Sequence, residues 1–335
     1  DRALRPLFPE DYFCDVQVLV SLVSSDDEVL PDALACLAAS AALAVSDIPV
    51  QEIISEVRIG RVDGQFIVNP TRAQMEQTDL EFVIAATNKN IMMVEGESKE
   101  CQEEDLVQAL QIAHDAIRIQ VKAQEQLRDL VGVSGKRAYT KPYRNEALNE
   151  KITAFCKDKM HAIAASASAK HERSDAFKKL QEELVEHLAD ELADEDKGLV
   201  GFYYGELQYH VVRDMILNER RRLDGRGLED IRPLAMETNL LPTPHGSSLF
   251  TRGETQSLTT VTLGTPLDEL LTETAHSSNY AKFILHYNFP PFSTGEVKMM
   301  RGVGRREVGH GNLALRSLKQ MMPGSDYPYT VRVVS

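Results

Sequence analysis

Strand-forming patterns occur at both ends of this 335-residue chain and are absent from its middle. Alternating apolar and polar residues and turn dipeptides occupy residues 1–131 and return after residue 224, and such patterns favour β-strands. Between them, residues 145–222 are rich in Ala, Leu, Glu and Lys and poor in β-branched residues, which favours helices. The sequence therefore predicts an α+β fold with three domains: a mixed region at 1–131, an all-helical region at 145–222 and a second mixed region at 224–335.

The first mixed region contains an alternating segment, two hairpin signals and two helical segments. Residues 15–24 alternate like a half-buried strand. Asp63-Gly64 separates two strand-like runs, which is a strong hairpin signal. The elements predicted here are strands at 15–24, 57–62, 65–68, 80–86 and 91–95, and helices at 31–45 and at 103–130, the latter ended by Gly132 and Gly135.

The helical region is predicted to contain three helices, and the second mixed region three strands and one helix. The acidic run between residues 182 and 196 is interpreted as a solvated helix face. The predicted helices are at 145–166, 171–190, 199–222 and 312–321, and the predicted strands of the second mixed region are at 257–262, 283–287 and 330–335.

The two ends of the chain resemble each other at a constant spacing. Three residues near the start precede three identical residues by 314 positions, and one residue of slippage then aligns V-Q-V-L at 16–19 with V-R-V-V at 331–334. The identical pairs are Arg2 and Arg316, Leu4 and Leu318, and Pro9 and Pro323. In both copies a helical segment with Arg leads through Pro into a predicted strand. Three identities leave chance similarity open; a real repeat makes the chain about one period of a duplicated protein.

The distribution of charge is more informative than its sum. The chain has 37 Lys+Arg and 51 Asp+Glu, a formal net charge of -14, which argues against a generic, basic nucleic-acid coat protein. The arginines nevertheless cluster, and the planar guanidinium suits bidentate phosphate contacts. The two clusters are Arg220, Arg221, Arg222, Arg226 and Arg232, and Lys298, Arg301, Arg305, Arg306, Arg316 and Lys319, with Glu307 the only acid in the second. We expect a local anion site at these arginines.

The densest basic stretch is R-G-V-G-R-R-E-V-G-H-G at residues 301–311. Its four glycines predict a loop with a bare backbone, from which Arg305, Arg306 and His310 project. Such a loop could hold a phosphodiester backbone or a free phosphate. The alternative is a basic surface turn with a helix-capping histidine.

An aromatic segment, H-Y-N-F-P-P-F, lies just upstream of this stretch. Tyr287, Phe289 and Phe292 could stack on bases, as nonspecific binders of single-stranded nucleic acid require. The alternative is an aromatic–proline packing corner. The sequence leaves both interpretations open.

Several other chemistries are not supported. There is no G-x-S-x-G, no H-E-x-x-H, no G-x-x-x-x-G-K-[ST] and no strand–G-x-G-x-x-G–helix unit, and the histidines lack metal-ligand spacing. Asp224 in R-L-D-G-R is interpreted as a turn residue. No apolar run is long enough to span a bilayer, and the first residues do not have the pattern of a signal peptide. The four scattered cysteines predict reduced, mostly buried thiols in a cytoplasmic protein, and the start at Asp1 suggests a piece of a longer chain.

Several long motifs resemble the bacterial polynucleotide phosphorylase family. The motifs at the later end resemble the opening half of its second RNase PH-like unit: L-D-G-R at 223–226, H-G-S-S-L-F-T-R-G-E-T-Q at 245–256, H-Y-N-F-P-P-F-S-T-G-E at 286–296, G-R-R-E-V-G-H-G at 304–311 and Y-P-Y-T-V-R-V-V-S at 327–335. D-R-A-L-R-P-L-F-P and A-S-A-A-L-A-V-S-D-I-P resemble the later half of its first unit, and the helical region resembles its all-α linker domain. The resemblance implies two partial RNase PH-like units flanking that domain, and it favours the repeat over chance.

The resemblance implies a 3′-to-5′ exoribonuclease that uses inorganic phosphate as co-substrate, releases nucleoside diphosphates and can run in reverse. Arg305, Arg306 and His310 match the family's catalytic positions. Arg226, Arg252, Arg2 and Arg5 match positions that bind phosphate or RNA. The implied partners are single-stranded RNA, two further copies in a homotrimer and an RNA-degradation complex, and the implied cofactor is Mg²⁺.

The sequence also departs from the family pattern. The family's serine-rich phosphate loop and its metal-binding aspartates should follow Ser335, so the resemblance places no metal ligand in this chain. We therefore expect the 335-residue chain by itself to be inactive. The alternative is a noncatalytic protein with a degenerate RNase PH-like fold that binds RNA or another anion. A phosphate-dependent tRNA-processing enzyme of the same superfamily fits less well, because such enzymes lack the helical insert and the duplication.

Overall fold

The computed structural model describes residues 1–133, 135–273, 278–300, 302–324 and 326–335. The chain divides into two units. One unit combines residues 1–141 with residues 235–335, and the other consists of residues 142–234.

The first sheet is a four-stranded antiparallel sheet near the start of the chain. Its order is β2-β1-β3-β4, so the first hairpin lies at one edge and the second at the other. The strands are β1 (Ile54–Val62), β2 (Gln65–Val68), β3 (Leu80–Thr87) and β4 (Ile91–Ser98). Asp63 and Gly64 connect β1 to β2 with φ angles of 49° and 77°, the positive values that a tight two-residue hairpin turn requires. Both predicted hairpins are therefore confirmed.

Helices pack against both faces of this sheet. The helices are α1 (Asp32–Ala44), α2 (Arg72–Met75) and α3 (Glu103–Val131). One face buries Val57, Ile59 and Ile84 against Ala113 and Ile117 of α3. Ile54 and Ala85 alternate to the opposite face, where they form a smaller cluster with Ala3 and Leu7. Gly132 ends α3 with a φ of 75°, as the sequence predicts.

The predicted strand at residues 15–24 is wrong. None of these residues is assigned to a strand, although all of them are described, and Leu19 and Val23 are almost fully exposed. Alternation makes a segment suitable for a sheet, but a strand also needs a neighbour that completes its backbone hydrogen bonds. The counterpart of this segment in the repeat, Val331–Val334, does lie in a strand.

The unit at residues 142–234 is formed by three helices, as predicted. They are α4 (Glu146–Ala165), α5 (Lys170–Leu188) and α6 (Lys197–Glu219). Their buried side chains include Ile152, Met160, Leu184 and Tyr203. The Asn145 side chain caps α4 by accepting a hydrogen bond from the Leu148 N–H at 3.1 Å.

The acidic run is solvated with one exception, but only its first three acids lie on a face of α5, because this helix ends at Leu188. Asp196 is buried and accepts a hydrogen bond from the Asn145 side chain at 3.0 Å, whereas the other acids of the run are exposed. All four cysteines are free thiols, but only Cys156 is buried, so the expectation of mostly buried thiols is wrong. Burial raises the pKa of the Cys156 thiol to about 11.

The last region of the chain contains a five-stranded sheet with the order β10-β11-β7-β6-β5 and a separate two-stranded sheet of β8 and β9. β10 and β11 are parallel, whereas β11 and β7, and β7 and β6, are antiparallel. The elements are β5 (Leu234–Thr238), β6 (Gly246–Arg252), β7 (Thr255–Gly264), β8 (Leu270–Glu273), β9 (Ser278–Ala281), β10 (Phe283–His286), α7 (Arg305–Lys319) and β11 (Thr330–Val334). The strands predicted in this region are confirmed.

Candidate functional site

The helix α7 begins at the double arginine. Gly304 is its N-cap residue, and Arg305 and Arg306 are its first two residues. The glycine-rich loop predicted for residues 301–311 is therefore wrong from Arg305 onward, and the helix predicted to begin at residue 312 begins seven residues earlier. Arg301 lies outside the described residues. Gly309 and Gly311 cost the helix about 1 kcal/mol each relative to Ala, but they do not prevent it.

The first turn of α7 is stabilised by Glu307. Its Oε2 accepts a hydrogen bond from the Gly304 N–H at 2.6 Å, and its Oε1 accepts one from the Phe289 N–H at 3.0 Å. These two bonds lower the pKa of the Glu307 carboxyl, because they favour its ionised form. Glu307 thus supplies the carboxylate half of a capping box. Gly304 has no side-chain oxygen for the other half.

Arg305 and Arg306 lie at the positive end of the α7 dipole. Both side chains are exposed, and neither forms a hydrogen bond or an ion pair with any other residue that the structure describes. The first N–H groups of a helix have no partner within the helix. They carry the partial positive charge of the helix dipole at this terminus. Two guanidinium groups beside such a terminus make a site suited to phosphate oxygens.

The ring of His310, on α7, and the rings of Tyr287 and Phe289, which precede the helix, form an aromatic strip. The His310 ring meets the Tyr287 ring edge-on, with centroids 5.6 Å apart, and Tyr287 is parallel to Phe289 at 6.4 Å. Phe289 and Phe292 are 50% and 76% exposed. A packing corner would bury these rings, so their exposure favours the alternative in which they are available for stacking.

Gly311 allows α7 to approach this strip closely. A Cβ atom at Gly311 would lie 3.3 Å from the Cβ of Tyr287, which is tighter than ordinary van der Waals contact. The absence of a side chain at residue 311 therefore lets the helix lie against Tyr287, directly after β10.

Arg252 lies at the end of β6 and precedes the tight turn at Gly253, whose φ is 60°. Its side chain is exposed, as are those of Arg305 and Arg306. Among the described hydrogen bonds and ion pairs, none connects Arg252 to the first turn of α7. The structure therefore leaves Arg252 available to an anion without assigning it to the α7 site.

Three other predicted arginines are engaged by carboxylates. Arg226, in the unit at residues 142–234, pairs with Asp224 at 2.9 Å and donates to the Asp230 carbonyl at 2.5 Å. Arg2 pairs with Glu95 at 2.7 Å, and Arg5 pairs with Asp1 at 2.8 Å. Asp224 lies in a turn with Gly225, whose φ is 84°, which confirms the turn predicted there.

The sequence did not predict two features of the candidate site. Glu307 stood out only as the single acid of its cluster, although an acid three residues after a potential N-cap is a recognised helix-start signal. Gly311 gave no signal, because its close contact with Tyr287 depends on the tertiary structure.

Magnesium in proteins is held by carboxylate and carbonyl oxygens. Within the described part of the chain, no three His, Cys, Asp or Glu side chains come together as ligands for a metal. The family resemblance places the metal-binding aspartates after Ser335, so no residue of this chain is assigned as a magnesium ligand.

Three family models match successive parts of the chain. Residues 230–335 match the 3′ exoribonuclease family, domain 1, and residues 52–116 match domain 2 of the same family. Residues 147–227 match the model of the polyribonucleotide nucleotidyltransferase RNA binding domain. The two mixed regions are therefore of the RNase PH type, and the helical region between them matches the RNA binding domain of polyribonucleotide nucleotidyltransferases.

The curated relatives that match the entire chain include three polyribonucleotide nucleotidyltransferases. Identity is 54% for the Parabacteroides distasonis protein, 53% for that of Bacteroides fragilis and 52% for that of Porphyromonas gingivalis. The chain belongs to the polyribonucleotide nucleotidyltransferase family, which is a family of enzymes. It covers 45%, 47% and 45% of these relatives, so it spans about half the length of each.

None of the described helices combines the length and the apolar character needed to cross a membrane.

Proposed function

We propose that a protein of the relatives' full length that contains this chain degrades single-stranded RNA from its 3′ end by phosphorolysis. The observation that carries this proposal is the exposed, unpaired Arg305–Arg306 pair at the start of α7. This pair lies within the match to domain 1 of the 3′ exoribonuclease family. The expected products are nucleoside diphosphates, and the reverse reaction would extend RNA from nucleoside diphosphates.

The proposed reaction is a single displacement at phosphorus. An oxygen of inorganic phosphate attacks the phosphorus of the last phosphodiester, and the bond from that phosphorus to the 3′ oxygen of the preceding nucleotide breaks. The 3′ oxygen leaves with a proton, and the attacking phosphate becomes the β-phosphate of the released diphosphate. No covalent bond to the protein forms, so positioning and charge stabilisation carry the catalysis.

Arg305 and Arg306 are assigned to the crowded phosphate charge of this reaction. Each guanidinium can donate two parallel hydrogen bonds to phosphate oxygens, and stabilisation of this kind is often the largest single contribution to catalysis. His310, one turn further along α7, can donate a hydrogen bond to the same group of oxygens. The exposed rings of Phe289 and Phe292 are assigned to bases near the 3′ end.

The remaining arginines are assigned to the path of the RNA. Arg252 is exposed, so it can contact a phosphate directly. Arg226, Arg2 and Arg5 already pair with carboxylates, so RNA would have to compete with those ion pairs. We propose them as RNA contacts that support binding rather than chemistry.

Further features of the proposal follow from family membership alone. They are assembly as a homotrimer, participation in an RNA-degradation complex, a cytoplasmic location and a requirement for Mg²⁺. The helical unit, which matches an RNA binding domain, supports RNA as the partner.

One observation favours a second function for the 335-residue chain by itself. Its described residues contain a basic site but no carboxylate cluster for a metal. We infer that this chain alone binds RNA or another anion without cleaving RNA.

The test incubates the full-length protein with poly(A) and radiolabelled inorganic phosphate. The proposal requires label in ADP, release that depends on phosphate, and no AMP. Release of AMP without phosphate would replace phosphorolysis by hydrolysis. The same assay on the 335-residue chain is expected to give no ADP, and ADP from that chain would refute its assignment as a binding protein.

A further inference from the structure

One carboxylate connects the two ends of the segment between β10 and α7. The Phe289 N–H and the Gly304 N–H both donate to Glu307, at 3.0 Å and 2.6 Å. We call these two hydrogen bonds the Glu307 clasp. They connect Phe289 and Gly304 through a single side chain.

The clasp spans the site from the aromatic strip to the arginines. Phe289 carries the ring parallel to Tyr287, and Gly304 directly precedes Arg305. A shift of the Gly304 backbone would move the start of α7, and with it the guanidinium of Arg305. A shift at Phe289 would move an exposed ring. Both groups therefore depend on the same two bonds for their positions.

The clasp also explains how an acid fits among these arginines without neutralising them. Each carboxylate oxygen of Glu307 is used by a backbone N–H, and no ion pair joins Glu307 to Arg305 or Arg306 among the described residues. The backbone bonds keep the carboxylate ionised, as the lowered pKa indicates. The arginines therefore keep their hydrogen-bond donors for a ligand.

The N-cap residue has little room for change. Gly304 has an extended backbone, with φ −75° and ψ 160°, and a Cβ atom there would lie 3.3 Å from Glu307 Oε2. A side chain at residue 304 would therefore crowd the oxygen that accepts the hydrogen bond from the Gly304 N–H.

We propose that Glu307 is a positioning residue: through the clasp it fixes Arg305, Arg306 and the Phe289 ring in the geometry that binds phosphate and the RNA 3′ end. This inference rests on the proposed phosphorolysis. In this role Glu307 contacts neither the phosphate nor the RNA, because both of its oxygens accept from backbone N–H groups. Displacements of about 1 Å in a catalytic group can cost on the order of 100-fold in rate, so the expected effect is large.

The decisive variant is Glu307→Gln in the full-length protein. Gln keeps the length of the side chain, but its single carbonyl oxygen can accept from only one of the two N–H groups, and its NH2 group faces the other. We expect kcat for phosphorolysis to fall about 10- to 100-fold, by analogy with other misplaced catalytic groups, and the KM for phosphate to rise. In Glu307→Ala, which removes both acceptors, kcat should fall further.

Glu296→Gln is the matched control, because it removes the same charge from the same loop without breaking either bond of the clasp. If Glu307 acted only as a nearby negative charge, its loss would attract phosphate more strongly and lower the KM. The positioning role predicts the opposite sign. A lower KM with unchanged kcat in Glu307→Gln would therefore overturn it.

Hydrogen exchange distinguishes loss of the clasp from unfolding of α7, and it does so independently of the activity assay. In Glu307→Gln the amides of Phe289 and Gly304 should exchange faster, while those of Val308–Lys319 stay protected. Faster exchange with wild-type kinetics would overturn the positioning role and leave phosphorolysis standing. Arg305→Ala, assayed in parallel, should lose activity without exposing the two amides. Full activity in that variant would overturn the arginine site and the role of Glu307 with it.

Discussion

Arg2 and Arg316 donate to the two oxygens of one carboxylate. Arg2 lies 2.7 Å from Oε2 of Glu95, and Arg316 lies 3.0 Å from Oε1. These two arginines occupy equivalent positions in the internal repeat, 314 residues apart. The repeat, first visible as three identities, therefore coincides with a structural contact in which both copies use the same acid on β4.

Glu95→Ala should destabilise the unit that contains this contact by about 1 kcal/mol, the upper range for partly exposed ion pairs. Arg316 should account for more of the loss than Arg2, because the Arg316 side chain is 30% exposed and that of Arg2 is 61% exposed. The measurement is the urea midpoint of each single variant. Arg5→Ala breaks the more exposed pair with Asp1 and serves as the control, with an expected change near zero. Equal effects of Arg2→Ala and Arg316→Ala would contradict the argument from exposure.

The elements that the sequence predicted correctly are those specified by local chemistry. Asp63-Gly64 marks its hairpin because few other dipeptides accept two positive φ angles. The helical unit follows from residue propensity, which is visible in the sequence.

The features that the sequence did not predict depend on contacts between distant residues. The start of α7 at Arg305 is stabilised by Glu307, whose second partner, Phe289, lies 18 residues earlier in the chain. Four nearby glycines favour a loop when that contact is unknown. Residues 15–24 have a strand pattern but no strand partner, and periodicity cannot report a missing neighbour. The shared use of Glu95 by Arg2 and Arg316 is likewise invisible in spacing.

The stability of the first sheet should depend on pH through Glu56. Burial, followed by the nearby charge of Asp32, raises the pKa of this carboxyl to about 7, against an ordinary value of 4.5; Arg58 lowers it and Glu95 raises it further. The folded state therefore holds a proton that the unfolded state loses between about pH 4.5 and pH 7, so this group destabilises the fold as pH rises through that window.

Glu56→Gln should raise the urea midpoint at pH 8 and change it little at pH 5, because Gln resembles the protonated acid. Glu52→Gln, at a neighbouring exposed acid, provides the control. A gain of the same size at both pH values would show that Glu56 does not titrate in this window.

The two glycines within α7 should respond differently to Ala. Gly309 has open space where a Cβ would lie, so Gly309→Ala should stabilise the helix by about 0.5–1 kcal/mol through reduced backbone entropy in the unfolded chain. A Cβ at Gly311 would lie 3.3 Å from the Tyr287 Cβ. Gly311→Ala should therefore not stabilise the helix, because the new methyl group would push the helix away from Tyr287. Exchange rates of the α7 amides measure both effects, and equal protection in the two variants would contradict the close contact.

Arg305→Ala in the full-length protein should reduce phosphorolysis at least about 100-fold, the scale for removing one preorganised group that stabilises charge in the transition state. Arg305→Lys should recover part of the loss, because it keeps the charge but not the two parallel donors of the guanidinium. The measurement is the rate of ADP release from poly(A) at several phosphate concentrations, with Arg118→Ala on α3 as the arginine control. An increase in the KM for phosphate at constant kcat would mean that Arg305 binds phosphate equally in the ground and transition states. A near-normal rate would remove Arg305 from the reaction altogether.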